Sequence, residues 1–124
     1  MKITVIGVGK IKEKYFTDAI KEYAKRLSRY CKLEIVEVAD EKTPDGASET
    51  LNAQIKEKEG MRILQKIPES AYVVALAIDG KMLDSEELAA QMERWNVGGI
   101  SQIVFVIGGS LGLAPAVLQR ADYK

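Results

Sequence analysis

The residues best placed to do chemistry are glycines at the ends of apolar runs. Phe105-Val106-Ile107 leads directly into Gly108-Gly109-Ser110-Leu111-Gly112. Glycines after a strand let the backbone approach a ligand and present its amides or carbonyls without a side chain in the way. The same residues also suit an ordinary strand-to-helix turn, and the sequence alone leaves both readings open. Gly7-Val8-Gly9 and Asp79-Gly80-Lys81 end two further apolar runs. The first imitates a G-x-G-x-x-G dinucleotide loop, but Lys12 stands where the third glycine belongs, which favours a simple tight turn. Neither Gly9-Lys10 nor Gly80-Lys81 is followed by Ser or Thr, so a Walker phosphate loop is disfavoured.

Cys31 is the single cysteine and there is no histidine. That composition removes disulfide frameworks, Cys/His zinc sites, Cys-His dyads and Ser-His-Asp triads together, and no metal is expected. Cys31 lies beside Arg29 and Lys32 but lacks a partner base or second thiol, so it reads as structural. The formal charge is zero but unevenly spread: residues 1–32 hold nine Lys/Arg against three Asp/Glu, and residues 33–124 hold nine against fifteen. Such asymmetry is compatible with a local anionic partner such as RNA. Lys14, Lys21, Lys25, Arg29 and Lys32, interrupted by Asp18, form a basic side that suits either RNA phosphates or plain solvation. Trp95, Tyr15, Tyr23 and Tyr30 share their helical spacing with Leu and Ala and are expected in the core rather than as base-stacking platforms.

The elements that must position these residues alternate regularly. Apolar, β-branched runs at 2–8, 33–38, 72–78 and 103–107 read as strands, the second with exposed acids that suit an edge. Between them, 12–30 and 51–67 read as helices. In the first, Phe16, Ala19, Ile20, Tyr23, Leu27 and Tyr30 are expected to pack on the sheet; in the second, Gly60 permits close approach by another backbone and Pro68 marks the stop. A third helix begins at Asp84, a cap paired with Glu87, and ends at Gly98-Gly99; a short one opens at Pro115. Residues 40–48 read as a mobile surface loop. The pattern predicts one domain over 1–124, an α/β fold with a three-layer, mostly parallel sheet and helices on both faces. The apolar run from Ile3 to Val8 is too short for a signal peptide or a membrane span, so a cytoplasmic protein is expected.

Four ordered segments carry a resemblance: Gly-Lys and Lys-Glu-Lys-Tyr within 9–15, Lys-Glu-Gly-Met-Arg-Ile-Leu at 58–64, Leu-Ala-Ile-Asp-Gly-Lys at 76–81, and Phe-Val-Ile-Gly-Gly-Ser-Leu-Gly-Leu at 105–113. Together, along the whole chain, they resemble the family of ribosomal RNA large subunit methyltransferase H, SPOUT-class pseudouridine N3-methyltransferases. The resemblance implies a SPOUT-like (α/β knot) fold and an S-adenosylmethionine-dependent homodimer. Its expected substrate is N3 of a pseudouridine in 23S rRNA within the ribosome. It also implies cofactor binding by Leu76 and Gly108, with backbone help from Gly109. Both positions fall at carboxyl ends of expected neighbouring strands, where open α/β sheets bind ligands. Members of that family continue past the position of Lys124 with a knot-forming strand, loop and helix and a His- and Arg-bearing tail, so the resemblance carries over no catalytic residue. Two other readings compete: a catalytically inactive dimerisation or ribosome-docking module, and, by fold analogy alone, a flavodoxin-like or Rossmann nucleotide binder.

Overall fold

Apolar strands and amphipathic helices alternate along the chain as β1 (Lys2–Val8), α1 (Lys14–Leu27), β2 (Lys32–Val38), α2 (Glu49–Gln65), β3 (Tyr72–Ala75), α3 (Ser85–Val97), β4 (Gln102–Ile107) and α4 (Pro115–Arg120). The computed structural model describes residues 1–10, 14–42, 44, 46–77, 80–109 and 111–124. The strands form one sheet in the order β2-β1-β4-β3, with every pairing parallel. Parallel neighbours require crossovers through helices, and right-handed crossovers put α1 and α3 on one face and α2 and α4 on the other. After α4 the chain returns to the β3 edge: Tyr123 bridges Val74 in parallel, and the Ala75 N–H donates to the Tyr123 carbonyl at 2.9 Å.

Each face of the sheet buries its own core. Ile6, Val73, Val104 and Val106 meet Ile63 of α2 and Val117 of α4. On the other face Val74 and Ile103 meet Trp95 of α3, which packs tilted against Tyr72 and edge-on against Tyr123 at ring-centroid distances of 5.0 and 5.4 Å. The helix signals act as their chemistry predicts. Asp84 and Glu87 form a reciprocal capping box, Ser48 caps α2, Pro115 opens α4, and α3 ends at Gly98. Helix α2 stops at Gln65 with Lys66 as its cap, shortly before Pro68.

Two expectations are corrected. Helix α1 does not bury the side that carries Phe16, Tyr23, Leu27 and Tyr30; Tyr23 and Tyr30 are 63% and 81% exposed, and Tyr15 is exposed too. The helix lies over the edge strand β2 and turns Thr17, Ile20 and Ala24 inward, so the aromatic stripe faces away from the core. Only Trp95 of the four proposed core aromatics is buried. Strand β3 ends at Ala75 rather than running to position 78, since the chain leaves the ladder to form the following loop; Ile78 and Asp79 lie outside the described residues. The described residues of the 40–48 segment lie at the surface outside helix and strand, and Arg62 meets its start, donating to the Ala39 carbonyl at 2.9 Å and pairing with Glu41 at 2.6 Å. The remaining differences fall at element ends, and positions 11–13, 43, 45 and 110 lie outside the described residues.

Candidate functional site

Strands β3 and β4 are neighbours, yet their outgoing chains leave to opposite faces of the sheet, one to α3 and the other to α4. Divergent loops leave a crevice at the carboxyl ends of the strands. A cleft of about 620 Å³ lies there, walled by Leu76, Ala77 and Gly80 on one side and by Gly108, Gly109 and Gly112 on the other. Leu76 and Gly108, separate in sequence, thus face one cavity. Leu76 lies one residue past β3, its N–H still donating to the Val106 carbonyl at 3.0 Å, and its side chain is 54% exposed.

The glycines are demanded by backbone packing. A Cβ at Gly108 would lie 2.7 Å from the Gly112 carbonyl carbon, closer than any side chain tolerates. Gly112 has φ 86°, a left-handed conformation that favours glycine, and its N–H closes the turn onto the Gly109 carbonyl at 3.0 Å. Gly80 is held by the Ala77 carbonyl, and a Cβ there would lie 3.0 Å from the carbonyl carbon of Lys124. The result is a wall made of main chain, with apolar side chains of Ile107, Leu113 and Leu118 around it and the cations Lys56 and Lys124 at its border. A bare backbone beside apolar surface suits a flat heterocycle with a polar edge, and an adenosine has that form.

The other glycine turn serves differently. Gly9 adopts φ 89° and its N–H donates to the Val38 carbonyl at 2.9 Å, which is a tight turn against the β2 edge and no part of the cleft. Cys31 is half-buried, its thiol 3.7 Å from the Leu27 carbonyl at the end of α1. Lys14, Lys21, Lys25, Arg29 and Lys32 are all exposed, and on the same helix Arg26 bonds Glu22 at 3.1 Å. Among the described residues no group of three or more His, Cys, Asp or Glu could hold a metal, and no helix is long and apolar enough to cross a membrane.

Sequence reasoning missed Lys56, Leu118 and Lys124, which reach the cleft from α2, α4 and the residues after it. It also missed Glu59, a buried carboxylate on α2 whose Oε2 accepts the Glu41 N–H at 3.0 Å. A signal for Glu59 existed: it follows Ile55 by four residues and precedes Ile63 by four, an acid in the apolar phase of the helix.

Comparison with known proteins agrees with this geometry. The family described as "Predicted SPOUT methyltransferase" matches residues 1–124. A protein of Bifidobacterium adolescentis named ribosomal RNA large subunit methyltransferase H is 63% identical over 99% of this chain and 77% of its own length. Proteins of the same name from Bifidobacterium animalis subsp. lactis and Clostridium beijerinckii are 61% and 58% identical, over 98% and 100% of this chain and 77% and 78% of their own. A match along the entire chain at such identity, on a parallel sheet with its cleft between β3 and β4, places this protein: it belongs to the SPOUT methyltransferases, in the ribosomal RNA large subunit methyltransferase H family.

Proposed function

We propose that residues 1–124 form a single methyltransferase domain that binds S-adenosylmethionine in the cleft between β3 and β4, with Leu76 and Gly108 as cofactor contacts and Gly109 offering backbone. The observation that carries this reading is the convergence of Leu76 and Gly108 on one cavity, where a Cβ at Gly108 would stand 2.7 Å from the Gly112 backbone. When bound, the cofactor supplies an electrophilic methyl group. The chain's own contribution is positional: an apolar wall at Leu76, Ile107 and Leu113 excludes competing water, and the closed turn at Gly108–Gly112 fixes the adenosine side.

The substrate in this reading is N3 of a pseudouridine in 23S rRNA, presented on the ribosome in the cytoplasm; the relatives' name supports ribosomal RNA as the target. The exposed basic side of α1 offers phosphate contacts, and the exposed apolar stripe through Phe16, Tyr23, Leu27 and Tyr30 supports self-association as a homodimer. That same stripe also favours a second reading, a dimerising or ribosome-docking module that transfers no methyl group. Incubation with assembled ribosomes and methyl-labelled cofactor separates the two. Label recovered as N3-methylpseudouridine supports the enzyme; ribosome association with no label supports the docking module.

A further inference from the structure

The turn after β4 is backed by a buried carboxylate. Glu59 is 5% exposed, and its Oε2 accepts the Glu41 N–H at 3.0 Å. A Cβ at Gly109 would lie 3.1 Å from Glu59 Oε1, 3.5 Å from Oε2 and 3.2 Å from Val8 Cγ1. The glycine therefore leaves the space against which the carboxylate packs. An ionised carboxylate has only acceptors to offer, and burying one is costly unless donors meet it. Among the described residues no cation pairs with Glu59; the nearby Arg62 is engaged by Glu41 and the Ala39 carbonyl. An apolar residue in this helical phase would fill the core at less cost, so stability alone is a poor reason for a carboxylate here.

We propose that Glu59 is a positioning residue of the cofactor site. Its carboxylate joins the segment after β2, through the Glu41 N–H, to the turn after β4, and so holds the Gly108–Gly109 backbone at the cleft wall. The inference rests on the reading of that cleft as the cofactor site, but its mechanical half does not require a ligand.

The test compares the wild-type chain with Glu59→Leu, Glu59→Gln and Ile63→Val, the last lowering stability from the same helix face without touching the turn. Amide hydrogen exchange is measured at Glu41 and Gly112 in the free chain, and S-adenosylmethionine affinity by calorimetry. Removing a buried acceptor predicts exchange at both amides and a dissociation constant each raised about tenfold or more in Glu59→Leu. Glu59→Gln, which keeps an acceptor, restores both, and Ile63→Val leaves the affinity at the wild-type value. Glu59→Leu matching Ile63→Val in exchange and affinity would overturn the proposal. If Glu59→Leu does not fold, Glu59→Met substitutes, and exchange at Glu41 and Gly112 matching that of Ile63→Val overturns the proposal. If the wild type binds no cofactor, the reading of the cleft fails, and exchange at Glu41 and Gly112 still decides whether Glu59 holds the turn.

Discussion

Gly108 and Gly112 meet backbone to backbone, so that a Cβ on the first would stand 2.7 Å from the carbonyl carbon and 2.8 Å from the carbonyl oxygen of the second. The contact closes the chain after β4 on itself and turns main chain, rather than side chains, toward the cleft. Leu76 supplies the opposite wall from the loop after β3. The cleft is thus walled by two loops, one presenting main chain and the other the Leu76 side chain.

Gly60 of α2 is where α4 docks: a Cβ there would lie 2.9 Å from Ala114 Cβ and 3.3 Å from Val117 Cγ2. Helix propensity favours Gly60→Ala by about 1 kcal/mol, whereas overpacking a filled contact costs about 1–3 kcal/mol. The packing effect wins, so Gly60→Ala lowers stability in chemical denaturation. Adding Ala114→Gly relieves the contact and tolerates the N-cap position of α4, so the double variant recovers stability; simple additivity of the two changes would contradict the contact.

Asp84 holds the start of α3, accepting the Glu87 N–H at 2.8 Å while Glu87 reaches back to the Asp84 N–H. Asp84→Ala removes the cap and lowers unfolding free energy by about 1 kcal/mol, while Asp84→Asn retains most of it. An unchanged unfolding free energy in Asp84→Ala, measured by urea denaturation, would show that the cap contributes nothing.

Tyr72 has its phenol pKa raised above the ordinary value of 10.0, first by burial and then by the nearby Asp122 carboxylate, with Tyr123 adding and a side-chain hydrogen bond with Trp95 opposing. The folded chain thus holds this proton more tightly than the unfolded chain does. Its contribution to stability is whole below about pH 10, the unfolded value, and is lost as pH rises through the folded value. Tyr72→Phe should flatten the fall in Tm above about pH 10; an unaltered profile would remove Tyr72 from the alkaline transition.

The basic side of α1 makes a distinct prediction. If Lys21 and Lys25 neutralise rRNA phosphates, Lys21→Glu and Lys25→Glu each weaken binding to 23S rRNA fragments and flatten the slope of log K against log salt by about 0.7–0.9. Slopes equal to wild type would mean that this side of the helix is only solvated.

The sequence makes legible whatever rests on local chemistry. The β4 run, its glycine turn, the Asp84 cap and the Pro115 helix start each depend on a few adjacent residues, and each stands where its chemistry requires. Leu76 and Gly108 come from the resemblance, and their place at neighbouring strand ends, where open α/β sheets bring ligand loops together, agrees with the cleft that both line. Helix α1 was misjudged because periodicity reports that one side is apolar without saying what covers it. Its stripe through Tyr23 and Tyr30 has the spacing of a core face but lies away from the sheet. That Lys56 lines the cleft and Glu59 lies beside Gly109 are long-range packing relations with the distant turn after β4, which adjacent residues do not announce.

Whether the cleft between β3 and β4 recognises S-adenosylmethionine through the Gly108 backbone is tested by calorimetric titration of the cofactor into the wild-type chain and Gly108→Val. Saturable one-site binding is expected of the wild type, with its loss in a Gly108→Val chain whose circular dichroism shows the α/β fold retained. Equal binding by both, or none by a folded wild type, would contradict this reading.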